Sequence, residues 1–210
     1  MDRKVFYDNV RNTLFQGRLT SSQVAGMENL LDVWDGYMAN DDNTNELAYN
    51  LATAFHETAQ TMQPITERGP VSYFSKYDPG TRLGRMLGNI VPGDGFRFRG
   101  QGHVQNTGRR NAIKASQELT RILGTEIDLV EDPGLRGDPL ISALSLFVGN
   151  AQGWWTGKKL SDYIDDKDET DAEDLLEFVK ARYVVNGTDK AETIGRYALA
   201  FERALKAAGY

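Results

Sequence analysis

Two glutamates stand ten positions apart in the stretch AFHETAQTMQPITERG, Glu57 and Glu67. The pattern around the first is helix-like, and around the second it is turn-like. An acid at the core edge of a helix loses hydration, and desolvation favours the form that holds a proton. A second carboxylate on a wetter loop stays ionised. That is the division of labour that glycoside hydrolysis needs: one group protonates the leaving oxygen, and the other activates water or attacks the sugar. By position alone the same two residues also read as ordinary surface charges.

Other chemistries find less support. His56-Glu57 begins like the zinc motif H-E-x-x-H, but the sequence continues T-A-Q. His103 is the sole other histidine and there is no cysteine, so neither a zinc site nor a thiol nucleophile is expected. No G-x-x-x-x-G-K-[ST] and no G-x-S-x-G occurs. Gln105, Asn106 and Thr107, in RGQGHVQNTGRRN, offer amides and a hydroxyl that can hold sugar acetamido groups and a water. They also suit a hydrogen-bonded turn. Tyr73, Phe74, Tyr77, Trp154 and Trp155 could stack on sugar faces or fill a core.

The elements that must position these groups are mostly helices. Phe6, Val10 and Leu14 recur every fourth residue. Val24, Met27, Leu31, Trp34 and Met38 form a second stripe behind hydroxyl caps. NDDNTN (40–45) reads as a turn that caps a third helix over 46–62, which stops before Pro64. Residues 63–108 differ, with nine glycines and many arginines. So much irregular backbone in a compact domain is usually functional, and its aromatics argue against disorder. Within it, FRFRG suggests a short strand with Phe96 and Phe98 on one side. Helices resume in RRNAIKASQELTRILG, stopped by Gly124, and in the stretch opened by Asp138-Pro139. DAEDLLEFVKARYVVNG and a final helix capped by Thr188 follow. The acidic run 165–174 reads as a solvated loop leading into a helix.

The 210 residues, with 40% hydrophobic content and no internal repeat, suit one compact domain, or a main lobe with a smaller one. A formal charge of −6 argues against nucleic acid as a partner. The N-terminal MDRKVFYDNVRNTLFQG lacks the apolar core of a signal peptide, and no stretch approaches the ~18 apolar residues of a membrane span.

ATAFHET, ITERG and RGQGHVQNTGRRNA, in that order, resemble the motifs of glycoside hydrolase family 19, which includes plant-type chitinases and many bacteriophage endolysins. GWWTGKKLSDYI and ARYVVNGTDKAETIGRYALAFERAL resemble the phage and bacterial lysozyme-like branch. The resemblance covers roughly residues 45–205. It implies a mainly α, lysozyme-like two-lobed fold with a small irregular or β region around residues 63–108, and a single catalytic domain over 1–210 without a separate wall-binding module. It implies that Glu57 is the general acid and Glu67 the general base, with Thr107 positioning the attacking water. Gln105, Asn111, His56 and Tyr73 are the expected substrate contacts. Members invert the anomeric centre, which requires carboxyls ~6.5–9.5 Å apart. The implied function is hydrolysis of β-1,4 bonds in peptidoglycan glycan strands, with no cofactor or metal. A monomeric endolysin that inserts in no membrane is expected, waiting in the host cytoplasm until another protein breaches the membrane. A chitinase, a toxin delivered between bacteria and a non-catalytic glycan-binding protein are the alternatives. Three departures stand out. The loop between the glutamates is shorter than in plant chitinases, leaving Asp78 or Asp94 as other choices for the base. Ala112 replaces the motif's usual tyrosine, and the plant disulfides are absent.

Overall fold

The computed structural model describes residues 1–38, 43–165, 167 and 170–210. The expected turn at 40–45 and the acidic run at 165–174 therefore lie partly outside the described residues. The described chain is mainly helical. In chain order it forms α1 (Arg3–Thr13), α2 (Ser21–Tyr37), α3 (Thr44–Glu57), β1 (Ile65–Thr66), α4 (Arg82–Met86), α5 (Asp94–Arg97), β2 (Gln101–Gly102), α6 (Arg109–Leu123), α7 (Pro139–Gln152), α8 (Asp171–Ala181) and α9 (Ala191–Ala207), with short 3-10 turns between. Two compact units emerge: residues 1–62 with 146–210, and residues 63–145. Among the described residues no helix is long and apolar enough to cross a membrane.

The first unit is built around α3. Every residue from Asn45 to Phe55 is buried, as expected of a helix enclosed by neighbours rather than laid on a surface. α3 packs on α9, and α9 also receives α1 and α8. Phe55 meets Phe15, Tyr197 and Phe201 edge-on, and Trp34 meets Phe147 in the same way. Buried amides are matched: Asn150 donates to Asn50 Oδ1 at 2.8 Å and accepts from the Trp155 indole at 2.9 Å. Trp154 and Trp155 are thus tied into this unit, and Trp154 is buried.

α3 ends at Glu57, five residues short of the expected boundary. Thr58 stops it, because its hydroxyl donates to the Ala54 carbonyl at 2.7 Å and accepts the Met62 amide at 3.0 Å. Ala59, Gln60 and Met62 then take left-handed backbone without a glycine among them, each at a conformational cost of order 1 kcal/mol. The last helix also starts later than expected: Lys190, in left-handed backbone, stands at its N-cap instead of Thr188.

In the second unit, β1 and β2 pair antiparallel, Ile65 opposite Gly102 and Thr66 opposite Gln101. FRFRG does not form a strand; Asp94–Arg97 is a helical turn. The alternating aromatics and cations serve stacking instead. The Arg99 guanidinium lies 4.1 Å from the Phe96 ring centre, and buried Phe98 has Arg109 at 4.8 Å and Arg136 at 5.7 Å. α6 ends at Gly124, whose φ of 66° continues the turn at little cost to glycine. α7 opens at Pro139, where the Asp138 carboxylate accepts the Leu140 and Ile141 amides.

Candidate active site

The expected catalytic residues fall in two places, one in each unit. Glu57 is the last residue of α3. Its Oε1 lies 3.0 Å from Nη2 of Arg182, a side chain that is fully enclosed. Arg182 also donates from Nε to the Asp189 carbonyl at 3.0 Å, while its Nη1 is buried with no hydrogen-bond partner among the described residues. A guanidinium taken out of water in this way needs a carboxylate, and Glu57 supplies it. Thr53 and Tyr49 stand one and two turns back on the same stripe of α3, both buried. Burial raises the Tyr49 phenol pKa against the pull of the Arg182 charge and the Thr53 hydroxyl. His56 is half-buried, and burial lowers its pKa although the Glu57 charge acts in the opposite direction.

Arg182, Tyr49 and Thr53 were not singled out by the sequence reading. For the two helical residues a signal exists: Tyr49, Thr53 and Glu57 repeat every fourth position and so share one stripe of the helix. Nothing local marks Arg182, which arrives from the turn after α8.

In the second unit, Glu67 follows β1 directly. Its amide donates to the Gly100 carbonyl at 2.7 Å, and its carboxylate accepts the Gly100 amide at 3.1 Å. Gln105 has left-handed backbone, φ 52°. Its side-chain amide donates to the carbonyls of Ile65 and Gly102, both at 3.0 Å, so the amide oxygen faces the other way. The Thr107 hydroxyl donates to the Gln105 carbonyl at 2.8 Å, and Asn111 donates to the Thr107 carbonyl at 2.9 Å. Gly100 is the hub of this arrangement. A Cβ there would stand 2.8 Å from Gln105 Oε1, 3.3 Å from Glu67 Oε2 and 3.4 Å from Thr107 Oγ1. Three oxygens converge on the side of Gly100 that carries no side chain. Because the Thr107 hydrogen and the Gln105 amide hydrogens are already committed, the cluster presents acceptors. A water held there would be oriented as a donor, with its lone pairs directed outward.

The neighbouring residues divide sharply. Tyr77 lies close enough that its phenol pKa, raised first by burial, is raised further by the Glu67 charge. Tyr73 is 48% exposed, with Lys76 Nζ 3.5 Å over one face of its ring. Phe74 is buried against Tyr73, Tyr77 and Phe96 and offers no stacking surface. Asn106 is buried. Ala112 is a buried residue of α6, where small size lets the helix seat.

Asp78 and Asp94, the other acids considered for the base, are structural. Asp78 Oδ1 accepts the amides of Gly93 and Gly95. Asp94 accepts those of Ile90 and Val91 and is held by Arg109 through both oxygens, at 2.8 and 2.7 Å. Burial raises the Asp94 pKa, but the Arg109 hydrogen bonds and the two amides outweigh it and hold the carboxyl low. Among the described residues no cluster of three or more histidines and acids could hold a metal ion.

No family model, curated protein or solved structure matches this chain.

Proposed function

We propose that the chain is a peptidoglycan glycan-strand hydrolase of the glycoside hydrolase family 19 type, with a lysozyme-like fold formed as one catalytic domain. It cleaves β-1,4 bonds with inversion and acts as an endolysin. The observation that carries this reading is the convergence of Glu67, Thr107 and Gln105 oxygens beside Gly100. A water there donates one hydrogen to Thr107 Oγ1 and the other to Glu67. Its lone pair is then free to attack the anomeric carbon, and Glu67 takes the proton as the new bond forms. In this reading Glu57 is the general acid that protonates the leaving glycosidic oxygen. Asn111, Gln105, His56 and Tyr73 hold the glycan, and no cofactor takes part. The chain works as a monomer on its glycan partner, after the membrane is opened by another protein.

The test is a turbidity assay on Gram-negative cells stripped of their outer membrane, comparing wild type with Glu57→Gln, followed by product analysis on purified peptidoglycan and on chitin. A loss of at least ~100-fold is expected for Glu57→Gln, the scale of a general-acid contribution. Release of new reducing ends from chitin but not from peptidoglycan would reassign the substrate. An effect on cell walls that survives Glu57→Gln would leave a glycan-binding protein and sink the hydrolase.

A further inference from the structure

The second unit carries a surface that the hydrolase reading does not use. Six of the large apolar side chains that face solvent fall within residues 71–91, with Ile90 at 72%, Met86 at 53% and Val91 at 49% exposure. Scattered exposed apolar residues are ordinary, but a concentration of this kind marks a contact surface. The backbone beneath is firmly held. Asp94 accepts the Ile90 and Val91 amides, and Asp78 accepts those of Gly93 and Gly95. Gly84 presses α4 onto the Asp78 carbonyl, so closely that a Cβ would come within 2.0 Å. With that face of α4 occupied, Leu83 and Met86 are left outward.

The charge around these side chains has one sign. Between Lys76 and Ser116 the sequence has six arginines and two lysines, and its acids are Asp78 and Asp94 alone. Both acids are turned inward on backbone amides, and Asp94 is also neutralised by Arg109. Arg82, Arg85 and Arg110 are exposed, and among the described residues none of them pairs with a carboxylate. Arg110 donates to the Met86 carbonyl, which joins α6 to α4. The result is a surface on a well-held backbone that carries both exposed guanidiniums and exposed aliphatic side chains.

We infer that this surface, formed by Arg82, Leu83, Met86, Ile90, Val91 and Arg110, docks peripherally on an anionic phospholipid bilayer. The guanidiniums meet the headgroup phosphates while the aliphatic tips enter the boundary between headgroups and acyl chains. Single aliphatic side chains set between cations suit a fluid interface, which needs no matching concavity. A protein partner would call for a contiguous apolar centre. Such docking would hold the protein at the anionic face of a membrane without any segment crossing it, and it does not rest on the hydrolase reading.

The experiment is flotation of the full chain with vesicles of phosphatidylcholine, alone or mixed with phosphatidylglycerol, at low and high salt. Wild type is expected to float with the anionic vesicles at low salt only. Arg82→Gln/Arg110→Gln and Met86→Ser/Ile90→Ser should each reduce partitioning at least about tenfold, with melting temperatures close to wild type. Arg82→Lys/Arg110→Lys should retain binding, and Arg196→Gln, in the other unit, should not alter it. Absence of flotation with anionic vesicles at low salt overturns the inference. So does a loss confined to one of the two double variants, or retention by purified sacculi that depends on these residues while vesicles are ignored.

Discussion

Glu67→Gln separates chemistry from structure more cleanly than any other single change. Glutamine has the same shape, and its oxygen can still accept the Gly100 amide that Glu67 accepts at 3.1 Å. The backbone bond from residue 67 to the Gly100 carbonyl is untouched. What is lost is the difference between a charged and a neutral acceptor, about 1 kcal/mol, or a melting-temperature decrease of roughly 2–4 °C. A folded domain several kcal/mol stable stays folded after such a loss. Activity should fall much further, by about 10²–10⁴-fold, because a neutral amide cannot take the proton from water. That is ~2.7–5.5 kcal/mol in the barrier. The assay pairs the turbidity rate with a thermal melt by circular dichroism. A third readout comes from Tyr77, whose phenol pKa is raised in part by the Glu67 charge. Its ultraviolet titration should shift to lower pH in the variant. A rate within about threefold of wild type, with the melt unchanged and the Tyr77 titration shifted, would refute the assignment of Glu67 as base.

Gly100→Ala is expected to lower activity at least about tenfold, because its methyl would press on Gln105 Oε1 and crowd Glu67 and Thr107; a fully active Gly100→Ala protein would mean that the space beside Gly100 is not used. A separate prediction concerns Glu202, buried beside Asp174 and Lys206. Burial pushes its pKa up to about 7 from an ordinary 4.5, helped by the Asp174 charge and opposed by Lys206. The folded state therefore binds a proton that the unfolded chain releases, and this stabilisation is complete below about pH 4.5 and declines as pH rises through 7. Chemical denaturation midpoints should therefore fall between pH 5 and pH 8, and Glu202→Gln should flatten that slope. A midpoint that rises over this interval in wild type would contradict it.

Much of the helical frame was legible because its signals are local. Asp138-Pro139 opens α7 and Gly124 closes α6 by the capping chemistry their types suggest. The end of α3 was missed because nothing near Thr58 looks like a stop. The stop is made by a threonine hydroxyl turned back on its own helix, followed by left-handed alanine, glutamine and methionine. FRFRG misled because alternation marks a strand only where a partner strand exists; here the alternate faces are taken by Arg99 on Phe96 and by Arg109 and Arg136 around Phe98. At the candidate site, the types and order of Glu57, Glu67, Gln105, Thr107 and Asn111 could be read directly. Their connections could not. The pairing of Glu57 with Arg182 spans the whole second unit in sequence, and the role of Gly100 lies in the side chain it lacks. Likewise, Asp78 and Asp94 look like free acids until their backbone partners are located in space.

The order of synthesis sets a problem for this chain. α3 is made early, yet the helix against which it packs, α9, belongs to the stretch that follows residues 63–145. Until α9 leaves the ribosome, one flank of a helix that is buried from Asn45 to Phe55 in the finished fold has no partner. The intervening unit can mature in the meantime, since its sheet joins Ile65–Thr66 to Gln101–Gly102 over a short span. Closure of the first unit then waits on a long-range encounter, which is slow and leaves an adhesive face open. Holdase chaperones would be expected to find this nascent chain at that stage, and slowing translation just before α9 should raise the fraction that aggregates.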